Sequence, residues 1–288
     1  MSDTRGDAKI AKARKNSHSS FLLCVMFLLE KADCIFTTHQ STHMFLKKSV
    51  LTCSIIFTVW QSFSQTALPV PRNILAAYDK DTRSANGSPG TRYWQNTADY
   101  LLNINFDPVS RQLTGVATIH YVNNSPDTLN AIWFKLYPNL YKKGSPRVQS
   151  IDDEDAGDGV MISNMLINDT VKDMEHVSIE GTNMIVNINK LAPGNTIDFR
   201  ITYTYKLNKG SHIRTGEIEP GADFVAYFFP RIAVYDDIDG WNKFPYNGSQ
   251  EFYNDFCHFK ASITVPKNYV VAATITRLTI TRITRLNN

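Results

Sequence analysis

Three aspartates crowd the stretch FFPRIAVYDDIDGW, where Asp236, Asp237 and Asp239 follow a hydrophobic run from Phe228. Carboxylates this close can ligate a hard cation, share a proton, or accept hydrogen bonds from their own backbone in a turn. Aspartates after a strand commonly do the last, so a polar turn is the preferred reading. A second acidic run, IDDEDAGDGV, sets Asp152, Asp153, Glu154, Asp155 and Asp158 around glycines. Such oxygen-rich loops can hold calcium, but the glutamate that closes an EF-hand is missing, and a solvated acidic loop is favoured. Cys257 and His258 pair a thiol with an imidazole, yet neighbours on a strand face opposite sides and cannot converge on one ion. His120 falls on the polar face of its strand and reads as a solvated histidine. His176 and His212 have no second histidine at ligand spacing. The sequence contains no HExxH, no GxSxG, no GxxxxGK[ST] and no CxxC, so the common zinc, nucleophile-elbow, phosphate-loop and dithiol chemistries lack their residues.

The elements that must carry these groups read as strands. In TIDFRITYTYKL, Ile197, Phe199, Ile201, Tyr203 and Tyr205 alternate with Thr196, Asp198, Arg200, Thr202, Thr204 and Lys206. That period of two predicts one buried face and one wet face. YLLNINF repeats it with Tyr100, Leu102, Ile104 and Phe106, and QLTGVATIHYVNN with Leu113, Ala117, Ile119 and Tyr121. Asp107-Pro108, Ser125-Pro126-Asp127 and Pro193-Gly194-Asn195 supply the turns between runs. Further strands are expected at LNAIWFKLY, GVMISNMLIN, TNMIVNINKL, FVAYFF, FKASITV and YVVAAT. The expected fold is all-β: two packed antiparallel sheets, a sandwich or saddle, over residues 93–274.

The chain has 288 residues, 43% of them hydrophobic, enough for a substantial core. Thirty basic residues against 27 acidic ones give a net charge of +3, and much of the excess lies before Lys48. A nucleic-acid partner is therefore not expected. Cys24, Cys34 and Cys53 precede the folded body and leave it only Cys257, which excludes a disulfide scaffold but not export.

From Met44, MFLKKSVLTCSIIFTVWQSFSQ places two lysines before an apolar run ending at Trp60, then Ser62 and Ser64. That is the order of a secretory signal peptide, expected over 44–64 with cleavage after Ser64 and an exported product. Contact with a membrane is expected only through this segment. Residues 1–43 carry a second basic-then-apolar run without a clear cleavage site, and translation is expected to begin at Met44. Residues 65–92, rich in proline, glycine, serine and asparagine, read as a linker or draped arm.

Two longer stretches carry a family resemblance. YWQNTADYLLNINFDPVSRQLTGVATIHYVNNSPDTLNAIWFKLYPN and FFPRIAVYDDIDGWNKFPYNGSQEFYNDFCHFKASITVPKNYVVAAT resemble the N-terminal β-domain of gluzincin zinc aminopeptidases, the aminopeptidase N type. Pro230, Asp236, Asp237, Phe259, Val265 and Pro266 are the positions that match, and the likeness runs in order across most of the body. It implies a β-saddle that packs on a thermolysin-like catalytic domain and helps wall its peptide cleft. Pro230, Asp236, Asp237 and Trp241 then belong to the edge that faces this partner. The family's zinc, its HExxH with a downstream glutamate, and its GxMEN loop belong to the catalytic domain, and neither motif occurs here. No cofactor is expected in this chain, and peptide substrate only in a full-length protein. Glu217 and Glu219 do not match closely enough to take the family's amine-binding role. At Thr274, where the family has glycine, the sequence departs into ITRLTITRITRLNN, and residues 275–288 read as the product of a shifted or truncated frame. The rival reading is a stand-alone envelope sandwich that binds a protein or ligand through exposed loop aromatics, Trp241, Phe244 and Tyr246.

Overall fold

Alternation alone dictates most of this molecule. The computed structural model describes residues 68–210, 213–273 and 277–283. The expected signal peptide and upstream extension lie outside the described residues. A short helix, Arg72–Asp79, precedes the strands. Strands β1 (Thr97–Asp107), β2 (Gln112–Val122) and β8 (Thr196–Lys206) each run for 11 residues with strictly alternating burial along most of their length. Between β2 and β8 lie β3 (Leu129–Lys135), β4 (Met161–Ile167), β5 (Thr170–Val171), β6 (Val177–Glu180) and β7 (Asn183–Leu191). Beyond β8 come β9 (Gly216–Glu219), β10 (Ala222–Phe224), β11 (Arg231–Ile232), β12 (Tyr235–Asp236), β13 (Gly240–Trp241), β14 (Cys257–Pro266) and β15 (Arg277–Ile283).

These form a seven-stranded sheet, β15-β14-β1-β2-β8-β4-β5, and a four-stranded sheet, β11-β3-β7-β6. Hairpins β9-β10 and β12-β13 stand apart. The two larger sheets share one hydrophobic core: Phe199 of the first meets Phe134 of the second edge-on at 5.2 Å between ring centroids. Each such fully buried aromatic contributes about 2–3 kcal/mol through area removed from water. The fold is an all-β sandwich, as the alternation predicts.

Gly115 shows how tightly the core is filled. It sits opposite Tyr203 in the β2-β8 register, and a Cβ there would lie 2.5 Å from the Tyr203 ring. Only glycine leaves room for this tyrosine. Asp107 builds the β1-β2 turn, its Oδ1 accepting from the Val109 amide at 3.1 Å and its Oδ2 from the Ser110 hydroxyl at 2.6 Å.

Three details differ from the sequence expectation. The large sheet is mixed, because β14 runs parallel to β1 and β15 parallel to β14; alternation identifies a strand's face but not its neighbour or its direction. FVAYFF is not one strand, since only Phe224 belongs to β10 and Tyr227, at φ 42°, turns the backbone out of the extended region. YVVAAT forms no strand over residues 269–273, where the chain leaves β14 through a turn closed by the Tyr269 amide on the Pro266 carbonyl, 3.0 Å.

Candidate functional site

The acidic stretch folds as the small hairpin β12-β13, paired Tyr235 to Trp241 and Asp236 to Gly240. Gly240 takes φ 71°, a left-handed conformation that glycine reaches at no steric cost. Each aspartate has its own task. The Asp236 Oδ1 accepts from the amides of Ile238 and Asp239, at 3.0 and 2.8 Å, while its Oδ2 accepts from the Tyr253 hydroxyl at 2.9 Å. This is the expected self-bonded turn.

Asp237 does something the sequence did not signal. Its side chain is only 2% exposed and is gripped by Arg83, 154 residues earlier, which sends Nε to Oδ2 at 3.0 Å and a terminal guanidinium nitrogen to Oδ1 at 2.8 Å. The Thr82 hydroxyl adds a third donor at 2.7 Å to Oδ2. Burial works against ionisation of Asp237, but these donors outweigh it and hold the carboxyl below the usual range. Asp239 in turn accepts from the Asn73 side chain at 3.0 Å. Residues 65–92, without apolar period, were expected to form a linker or draped arm; the described part carries a helix and reaches across to clasp this hairpin. The side chain of Asp237 is turned to the chain's own arm, with its donors supplied from within.

The remaining members of the expected edge are buried. Pro230 is buried just before β11. Trp241 is 8% exposed, stacked near Tyr121 at 6.4 Å and edge-on to Tyr235 at 5.0 Å. This corrects the rival reading's set of loop aromatics. Tyr246, 7% exposed, lies in a small aromatic cluster with Tyr137, Tyr227 and Phe252. Of the three, only Phe244 reaches solvent, because packing claimed the larger rings.

Cys257 and His258 diverge as strand geometry requires. Half-buried Cys257 receives a guanidinium N–H from Arg231 at 3.0 Å, and burial pushes its thiol up, which disfavours the reactive thiolate. Exposed His258 turns away to Asp99 at 2.9 Å. His120 likewise meets Asp198 on the wet face at 2.7 Å. In the acidic loop, Glu154 pairs with Lys209 at 2.5 Å in solvent, and buried Asp155 accepts from the Gly210 amide at 2.6 Å. Glu217 pairs with Arg111 at 3.4 Å. Among the described residues, no three His, Cys, Asp or Glu side chains converge on a point that could hold a metal ion. No helix among them is long and apolar enough to cross a membrane.

One buried charge has no signature in the sequence. Lys135, at the end of β3, is 2% exposed, and its Nζ donates to the Asn183 Oδ1 at 2.8 Å and the Phe244 carbonyl at 2.7 Å. Both acceptors are neutral. Burial pushes its ammonium down to about 8. Asn183 also donates to the Lys243 carbonyl at 2.7 Å, and the Tyr246 amide donates to the Thr182 hydroxyl at 2.6 Å. Loop 243–246 is thereby pinned to the junction of β3 and β7.

No family model matches the chain. No curated protein matches it either. Among solved structures, it is similar to the M1 zinc metallopeptidase from Deinococcus radiodurans, at 16% identity and TM-score 0.34, over 62% of this chain and 34% of that one. A two-domain M1 zinc metallopeptidase bound to L-arginine gives 18% identity and TM-score 0.34 over 62% and 34%. Aminopeptidase A of Legionella pneumophila gives 8% identity and TM-score 0.25 over 40% and 12%. The chain spans about a third of the length of the first two.

Proposed function

We propose that this chain is a non-catalytic β-domain of a zinc-aminopeptidase-like metallopeptidase, exported and inactive by itself. The observation that carries the reading is where the two resembling stretches meet. They begin at Tyr93 and Phe228, and in the fold β14 from the second lies directly beside β1 from the first. Tyr100 stacks on Phe259 at 5.0 Å, Phe229 meets both rings edge-on, and the Ile232 amide donates to the Tyr100 hydroxyl at 3.1 Å. The two stretches therefore form one continuous seam, with the matched position Phe259 in it, the kind of element a domain needs in order to keep its shape beside a partner.

Zinc does not fit the residues that were candidates. Cys257 and His258 point to opposite faces, and the sequence has no HExxH to hold a metal and lower the pKa of a bound water. Peptide hydrolysis in this proposal belongs to a catalytic partner domain. Purified chain supplied with zinc is expected to show no chelator-sensitive release from aminoacyl substrates; such turnover would overturn the reading. Export is tested separately, by N-terminal sequencing of secreted product, with Gln65 expected as the first residue.

A further inference from the structure

At one end of the sandwich, the β4-β5 hairpin and the last residues of β7 face each other across an open cavity of about 680 Å³. The geometry points to a docking groove for an extended acidic peptide, which adds as a short strand along Ile188–Lys190.

The backbone supplies the first reason. β6 covers β7 only from Asn183 to Val186, and β3 pairs with β7 at Asn187 and again at Leu191 across a bulge. Ile188, Asn189 and Lys190 bulge opposite Asn130 of β3, and on their other side no strand pairs with β7 beyond Val186. Amides and carbonyls of an unpaired strand segment are the template on which an added strand forms. All three residues line the cavity. The Lys172 ammonium donates to the Asn187 carbonyl at 2.8 Å and fixes the near end of the bulge.

Charge supplies the second. The lining includes Lys172 and Lys190 and no carboxylate, so the charges that face into the groove are positive, with Asp169 and Asp173 next to it in the chain. Its apolar parts are Leu191 and Ile197, both 5% exposed, the half-buried Ile167 and Ile188, and Val171, which stands 69% exposed at the rim. An alternating peptide, apolar on one face and acidic on the other, matches that arrangement. The lining holds no aromatic ring, so it lacks the stacking surface on which single-stranded nucleic acid relies.

The test uses the full chain and a fluorescein-labelled, end-blocked hexapeptide of alternating valine and glutamate, followed by anisotropy. Saturable binding is expected, weakened at least tenfold by Lys190→Glu and lost when the peptide backbone is N-methylated. In isotope-labelled protein the amides of Ile188, Asn189 and Lys190 are expected to shift first, a readout in the unmutated chain that does not depend on how the variant folds. Absence of saturable binding overturns the proposal, and so does equal binding of the N-methylated peptide or of a valine-lysine peptide. Binding of tripolyphosphate or single-stranded DNA with the same dependence on Lys190 overturns it as well, by making the groove a simple anion site. None of these outcomes bears on the aminopeptidase reading, which the zinc assay decides.

Discussion

The hairpin Tyr235–Trp241 and the loop at residues 243–246 are neighbours in the chain, and each is pinned by one buried charge. The means are opposite. Asp237 is met by a guanidinium in bidentate geometry, so the pair sums to zero and its donors favour the ionised form. Lys135 is met by an amide oxygen and a carbonyl, so its charge stays uncompensated and burial favours the neutral form. A matched pair strengthens with ionisation, whereas a lone buried ion is a standing cost that only deprotonation relieves.

Breaking the matched pair is expected to have the largest effect. Arg83→Ala leaves the Asp237 carboxylate buried with the Thr82 hydroxyl as its remaining side-chain donor, and should cost about 2–3 kcal/mol in urea unfolding. Arg83→Lys should recover only part of that, since an ammonium cannot reproduce the two-pronged contact. The unmatched charge should answer to base. The folded protein gives up the Lys135 proton near pH 8 and an unfolded chain only near the ordinary lysine value of 10.5. Between these the unfolded state holds more protons, so stability should rise with pH, by about 1.5 kcal/mol from about pH 8 to about pH 9.5. Lys135→Met should flatten this rise. Beyond about pH 10 the direction reverses, because burial pushes the Tyr137 and Tyr246 phenols up to about 12 and folding then resists their ionisation.

Acid sharpens the same contrast with a smaller effect. The Asp237 carboxyl is held below its usual 3.8, so its contribution is complete above that pH and is lost as pH falls through the lowered value. As pH is stepped down, pepsin should cut first within residues 72–92, once the arm lets go, and spare loop 243–246, whose Lys135 is protonated at neutral pH and in acid alike. The smallest effect belongs to the other acidic run. Glu154 and Lys209 meet in solvent, and Glu154→Gln should leave the melting temperature unchanged.

How much of this was legible varies by residue. The inward faces of β1, β2 and β8 could be read outright, because alternation and burial report the same face: Ile197, Phe199, Ile201, Tyr203 and Tyr205 are all 5% exposed or less. Asp236 could be read as a turn residue from its own neighbours. Asp237 could not, since its donor lies 154 positions away in a stretch with no apolar pattern. Lys135 was hidden for a related reason. Alternation in LNAIWFKLY sets it on the same side as half-buried Trp133, and a loop from more than a hundred residues later then covers it. Pairing of β14 with β1 was illegible too, since a strand's side chains say nothing of which edge it will join.

The arm clasp also has a consequence in time. Arg83 and Asp237 are 154 positions apart and Asn73 and Asp239 are 166, so docking the arm closes a loop that spans nearly the whole sandwich. That closure gains little until the sheets between are already in place, which puts it after the crest of the folding barrier. Its loss then falls on the unfolding rate and spares the refolding rate; stopped-flow urea jumps on Arg83→Ala should move one limb of the chevron and leave the other where it was. The clasp works as a latch: it does not help the chain find its shape, but it sets how long the shape is kept.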